Sequence, residues 1–196
     1  ILVGLERIME KRNINWDTAR FCAELSEYAY ENIDVVTNYL KDSGVEYKEL
    51  KFFEKDNAQA YGLVLAEYRV LIFRGTQPTE WSDVIADIKA WPSESETEGM
   101  VHSGFKNELD KLYPDITRWL GNVRGTKLLI TGHSLGAAMA TLFTAREYAR
   151  GADVVLYTYG SPRVGSREWA KQFQGIECYK SEEHTSELQS RLCISY

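Results

Sequence analysis

Ser134 stands in Thr131-Gly132-His133-Ser134-Leu135-Gly136, with Leu128-Leu129-Ile130 before it and Ala137-Ala138-Met139-Ala140-Thr141-Leu142-Phe143 after it. A serine bracketed by two glycines, between an apolar run and a small-residue run, is a pattern that can deliver a hydroxyl for attack on an acyl carbon. A serine is a poor nucleophile at neutral pH unless it is held exposed, beside a base and near backbone donors for the oxyanion. Gly132 and Gly136 would let a strand and a helix approach closely through a strained turn, and the amide of Leu135 would point toward the acyl oxygen. A bare Gly-x-Ser-x-Gly arises often by chance, and a plain strand-to-helix turn with Ser134 as N-cap is the competing reading. The flanks weigh for the nucleophile, because they fit a strand followed by a helix.

The search for a base begins with the three histidines. His102 lies in a loop just before a helical stretch and reads as a hydrogen-bonded structural residue. His133 neighbours Ser134, but strand alternation points its side chain away, which suits a supporting role. His184 is the only histidine after Ser134, inside Ser181-Glu182-Glu183-His184-Thr185-Ser186-Glu187-Leu188-Gln189-Ser190. Pairing it with Glu182 or Glu183 would set acid and base side by side in a polar tail with nothing to hold their geometry, so that assignment is rejected. The acidic run Glu94, Glu96 and Glu98 reads as a solvated loop and not as a metal site, since no histidine lies nearby. No cofactor and no metal are implied.

The elements that must position Ser134 follow from periodicity. Trp16 to Ile33 and Val35 to Asp42 are expected helices packed outside a sheet, with Ala19, Cys22, Ala23, Leu25, Ser26, Ala29 and Tyr30 at helical spacing. Gln59 to Glu67 and Arg69 to Phe73 are expected strands, antiparallel because the break between them is short. Phe105 to Leu120 reads as a helix with Pro114 as a kink or break. Lys127 to Thr131 would be the central strand, Leu135 to Arg150 the helix behind it, Val154 to Thr158 a parallel strand and Ser166 to Phe173 a further helix. This alternation predicts an α/β fold of the α/β-hydrolase type, a mixed, mostly parallel sheet flanked by helices and joined by right-handed crossovers.

Five blocks occur in an order that resembles the class 3 (fungal-type) triacylglycerol lipases: Phe73-Arg74-Gly75-Thr76, Trp81 to Asp87, Val101-His102-Ser103-Gly104-Phe105, the Ser134 turn, and Tyr157-Thr158-Tyr159-Gly160-Ser161-Pro162-Arg163-Val164-Gly165. The resemblance runs from about Tyr28 to Tyr179. It implies that Thr76 supplies the second oxyanion donor, by its amide and its hydroxyl, and that Asp87 supports Thr76. It also implies that Pro78, Trp81, Val84 and Ile85 belong to a lid whose apolar face covers the serine in water and turns toward lipid at an interface. The spacing of Trp81, Val84, Ile85, Ile88 and Trp91 describes a short amphipathic helix, for which packing on the core is an equal alternative. The last block would line the acyl site, with Pro162 and Arg163 architectural. The substrate implied is triacylglycerol or another acyl-lipid; phospholipase A1 and aryl-esterase activities share the scaffold.

In that family an acid follows the strand ending near Tyr179 and a histidine comes later. Neither can be placed in this sequence. The stretch from Ser181 resembles the in-frame translation of a sequencing-library adapter, so 1–180 is expected to be an incomplete hydrolase domain, lacking the last strands and helix, and 181–196 a non-native tail. Without a histidine, oxyanion and binding contributions alone would leave roughly 10³ to 10⁴ over water, so this chain is expected to be nearly inactive. The alternative from another class is a non-catalytic hydrolase-like module that binds lipid or protein.

Composition agrees with one domain. Of 196 residues, 44% are apolar, enough for a single large core. A net charge of −6 argues against nucleic-acid binding. No apolar run is long enough to span a membrane. Three cysteines make no disulfide framework, and Cys22 could pair with Cys178 only if the fold brought them together.

Overall fold

The computed structural model describes residues 16–75, 92–121, 127–181 and 188–189. Helix α1 (Trp16–Tyr28) buries Ala19, Cys22, Leu25 and Ser26. It stops short of the expected Ile33 because the next helix, α2 (Ile33–Asp42), has its own start signal: the Asn32 side chain accepts from the amides of Asp34 and Val35.

Strand β1 (Glu49–Lys55) was not anticipated. It pairs antiparallel with β2 (Ala58–Val64) through the two-residue turn Asp56-Asn57, both at positive φ, 47° and 67°. That is the twist-matched hairpin turn that Asp and Asn tolerate. β2 pairs antiparallel with β3 (Tyr68–Phe73), as expected. A small hairpin, β4 (Pro92–Glu94) and β5 (Met100–His102), leads into α3 (Ser103–Leu120). α3 runs for 18 residues with Pro114 inside it, so the expected helix forms and Pro114 does not break it. Then follow β6 (Lys127–His133), α4 (Leu135–Ala149), β7 (Asp153–Tyr159), α5 (Arg167–Ala170) continued by a 3-10 turn (Lys171–Gly175), β8 (Glu177–Ser181) and β9 (Leu188–Gln189).

The main sheet has seven strands in the order β1-β2-β3-β6-β7-β8-β9. Its centre, β3-β6-β7-β8, is parallel, with antiparallel strands at the edges. Side chains alternate between two faces. Leu71, Phe73, Leu128, Ile130, Val154 and Leu156 point into one core with α3, α4 and α5. Val70, Ile72, Leu129, Val155 and Tyr157 point into a second core under α1 and α2. α4 is buried nearly along its whole length, and its sequence is correspondingly apolar or small all round.

In the acidic run all three carboxylates are exposed; Glu94 closes β4, Glu96 and Glu98 lie in the loop after it, and Glu96 also pairs with Lys106 at 2.9 Å and Arg146 at 3.0 Å. Cys22 is a buried free thiol, so it does not pair with Cys178, and burial pushes its pKa far above the ordinary thiol value. Among the described residues no helix is long and apolar enough to cross a membrane, and no cluster of potential metal ligands occurs.

Candidate active site

Ser134 joins the carboxyl end of β6 to the first turn of α4, with φ 62° and ψ −125°. A non-glycine residue at positive φ is strained, and such strain is characteristic of functional turns. The two glycines make the turn possible by contact distance alone. A Cβ on Gly132 would lie 2.5 Å from the carbonyl carbon and oxygen of Gly136, and a Cβ on Gly136 would run into the carbonyl of Phe73. Strand β6, helix α4 and the end of β3 therefore meet backbone to backbone at the serine.

The Ser134 side chain makes no capping hydrogen bond to α4, which removes the reading of Ser134 as an ordinary N-cap. Its amide donates to the carbonyl of Tyr159 at 3.0 Å, tying the turn to the end of β7. Its carbonyl accepts from Ala137 at 3.0 Å and Ala138 at 3.3 Å. Leu135 opens α4, so its amide belongs to the first-turn N–H groups that no intrahelical carbonyl can satisfy. The positive end of the helix axis favours negative charge at that amide.

Ser134 is 4% exposed, so in this structure the serine is covered. The Gly75 backbone packs over it, since a Cβ on Gly75 would be 3.3 Å from the Ser134 Cβ. The second oxyanion candidate Thr76, its support Asp87, and the lid residues Pro78, Trp81, Val84 and Ile85 lie outside the described residues.

Neither nearby histidine serves as a base in this arrangement. His102 caps α3, its Nδ1 accepting from the Gly104 amide at 3.2 Å, and its ring stacks on Phe105. Burial pushes its pKa below the ordinary histidine value. His133 pairs through Nδ1 with the Tyr30 hydroxyl at 2.8 Å. Sequence reasoning took Tyr30 as a packing residue of the first helix. The signal available was the polar series Cys22, Ser26 and Tyr30 at four-residue intervals on a buried helical stripe.

At the carboxyl end of β7, the stretch after Tyr159 folds back on the β4-β5 hairpin. Val101 bridges Gly165, His102 donates its amide to the Val164 carbonyl at 2.9 Å, and the Ser166 amide donates to the Met100 carbonyl at 2.8 Å. A cleft of about 390 Å³ runs along this junction, lined by Met100, Val101, His102, Arg163 and Val164 among others. It lies at the strand ends where ligands bind in open α/β sheets.

A mixed sheet with a parallel centre, a serine at positive φ between central strand and buried helix, and glycines where the backbones touch are the features of an α/β-hydrolase fold with a tight strand–serine–helix turn. Residues 70–186 match the class 3 lipase family, and the chain belongs to that family. It is similar to the secreted mono- and diacylglycerol lipase 1 of Fusarium solani, 39% identical over 34% of this chain and 21% of that protein. It is also similar to toxin TseL of Vibrio cholerae, 37% identical over 41% of this chain and 13% of that protein. With phospholipase A1-IIgamma of Arabidopsis thaliana it shares 28% identity over 55% of this chain and 34% of that one. The matched segments thus span no more than about a third of these relatives. In fold it resembles the triacylglyceride lipase of Rhizomucor miehei, with TM-score 0.71 and 22% identity over 87% of this chain and 72% of that chain.

Proposed function

We propose that this chain carries the nucleophile and oxyanion half of a carboxylic ester hydrolase acting on acyl-lipids, with triacylglycerol or a related acyl-glycerol as substrate. Ser134 Oγ attacks the ester carbonyl, the tetrahedral oxyanion collapses with loss of the alcohol, and water hydrolyses the resulting acyl-enzyme. The Leu135 amide and Thr76 are the oxyanion donors in this reading, and Asp87 positions Thr76. Pro78, Trp81, Val84 and Ile85 form a cover that moves to admit substrate and makes transient contact with a lipid surface. The observation that carries the proposal is the strained backbone of Ser134 at the strand–helix junction, where its side chain makes no capping bond.

The reaction also needs an acid and a histidine. Because His102 and His133 are engaged elsewhere, the reading requires an aspartate and a later histidine downstream of Tyr179 in the gene, with 1–180 as hydrolase domain and 181–196 outside it. Sequencing the source DNA past the Tyr179 codon tests this requirement. In the polypeptide so completed, Ser134→Ala is expected to abolish covalent labelling by a fluorophosphonate and hydrolysis of a short-chain nitrophenyl ester. Labelling that survives the substitution places the nucleophile elsewhere. A non-catalytic lipid- or protein-binding module is the second reading, supported by the burial of Ser134 and by the engagement of His133 with Tyr30. It takes over if the gene ends without acid and histidine.

A further inference from the structure

We propose that Tyr30 and His133 form a positioning pair that holds the Ser134 turn against the Gly75 backbone, fixing the gap in which the oxyanion must sit. The inference rests on the ester-hydrolase reading above for its purpose, but its geometry stands independently.

Tyr30 lies just beyond α1, where its amide donates to the Glu27 carbonyl at 3.2 Å. From there its ring reaches the carboxyl end of β6, and its hydroxyl meets His133 Nδ1 at 2.8 Å. The two rings meet edge to face with centroids 6.0 Å apart, and the Arg74 guanidinium stands 5.9 Å from the Tyr30 ring centre. The same hydroxyl closes on the backbone of Gly75: a Cβ there would fall 2.5 Å from the Tyr30 oxygen and 2.5 Å from the His133 carbonyl. One phenol oxygen thus bonds the His133 side chain and leaves no room for a side chain on Gly75, so it stands between the residue before Ser134 and the residue before Thr76.

The energetic reason to hold them is local. Ser134 occupies a backbone region that costs on the order of 1 to 3 kcal/mol, so the turn persists only while its surroundings over-determine it. Among the contacts that act on it are the Ser134 amide bond to Tyr159, the glycine contacts with Gly136, and the bond from Tyr30 to the preceding side chain. The first two fix the turn against β7 and α4. Tyr30 ties it to the α1 side of the sheet, with its hydroxyl against Gly75. An oxyanion donor displaced by about 1 Å loses most of its effect, so a residue that never meets substrate can control the rate.

The test uses the full chain with Tyr30→Phe, His133→Leu and His133→Asn. Asparagine places a polar atom where Nδ1 stands, so it can face the Tyr30 hydroxyl, whereas leucine cannot. Hydrogen–deuterium exchange is read on peptides covering 71–75 and 130–137, alongside the ¹⁵N imidazole signals of His133. Loss of one buried bond is expected to speed exchange in both peptides roughly five- to tenfold, with global unfolding much less affected. Tyr30→Phe and His133→Leu should both show it, Tyr30→Phe should shift the Nδ1 resonance, and His133→Asn should return exchange close to wild type. Exchange in both peptides within twofold of wild type in Tyr30→Phe, or equal acceleration in His133→Asn and His133→Leu, overturns the positioning role. In the completed enzyme, Tyr30→Phe should lower kcat with KM unchanged. If the completed enzyme without substitutions neither labels nor turns over while the exchange pattern holds, the hydrolase reading fails and the positioning pair stands; turnover with unchanged exchange has the reverse meaning.

Discussion

The two faces of the central sheet are built differently. On the face under α3, α4 and α5, Leu71, Phe73, Leu128, Ile130, Val154 and Leu156 meet Met139, Leu142 and Phe143 in a core of apolar contacts. On the face under α1 and α2, the apolar packing is threaded by a polar seam. Ser26 Oγ donates to the Cys22 carbonyl at 2.8 Å and lies 3.0 Å from Thr131 Oγ1; Tyr159 donates its hydroxyl to the Ala19 carbonyl; Tyr30 meets His133. Apolar burial is non-directional and roughly proportional to area, whereas hydrogen bonds fix distance and angle. The first face therefore supplies stability, and the second sets the register of α1 against β6 and β7, the strands that end at the serine.

Phe143→Ala should separate the two roles most sharply. Phe143 is fully buried against Phe73, with ring centroids 5.5 Å apart, and against Tyr113. Its truncation is expected to cost about 3–5 kcal/mol in urea unfolding, while exchange at 130–137 changes only through the lower global stability. A loss below about 1 kcal/mol would break the claim that this face carries the fold.

The seam predicts a smaller but coupled effect. Thr131→Val keeps the volume and removes one hydroxyl, and Ser26 retains its bond to the Cys22 carbonyl. The expected loss is about 0.5–1.5 kcal/mol. In a double-mutant cycle with Ser26→Ala, the coupling should be about 0.5–1 kcal/mol, because the two hydroxyls share one contact. Additive losses would show that the seam is a row of separate contacts and does not set register.

How much of this was legible beforehand follows the range of each interaction. The Ser134 turn was readable because all its determinants, Gly132, Ser134, Gly136 and their flanks, are neighbours in sequence. The parallel centre was readable from strand and helix alternation, and the hydrogen-bonded, structural role of His102 from its place before a helix, though it closes β5 and does not lie in a loop. β1 was missed although Leu50 and Phe52 alternate with charged residues and Asp56-Asn57 marks a hairpin, because Glu and Lys at a sheet edge resemble a solvated loop. The end of α1 was misplaced since Asn32 was not recognised as a cap. The Tyr30–His133 contact joins residues 103 apart in the chain, and the polar series Cys22, Ser26 and Tyr30 marks the stripe without naming the partner. Tyr30 reads as one more apolar position on a stripe, and only the fold reveals what its hydroxyl reaches. The burial of Ser134 is likewise a tertiary fact.

The smallest expected effect lies at the far end of α4, where the apolar face carries its own charged cluster. Arg146 is 8% exposed in its side chain, pairs with Asp110 at 2.7 Å and Glu96 at 3.0 Å, and stands 4.7 Å from the Tyr113 ring centre. Glu96 also meets Lys106 at 2.9 Å. Burial would raise the Glu96 carboxyl, but the Lys106 hydrogen bond, its backbone hydrogen bond and the Arg146 charge outweigh it and hold the pKa below the ordinary value. A lowered carboxylate pKa means that the contribution to stability is fully present above the unfolded-state value and is lost as pH falls through the lower folded one. Glu96→Gln should therefore cost stability at pH 7, and the gap to wild type should close below about pH 4. Because the Glu96 side chain is 42% exposed, solvent screening limits the pH 7 difference to about 0.5 kcal/mol. Urea unfolding of both proteins across pH 3 to 8 measures it. A gap that persists or widens toward pH 3 would mean that Glu96 acts through the shape of the β4-β5 turn and not through its charge. Exchange at 130–137 should be the same in both proteins at every pH, since this cluster sits at the opposite end of α4 from Ser134 and touches neither the seam nor the glycine contacts; a change there would erase the division between the two faces.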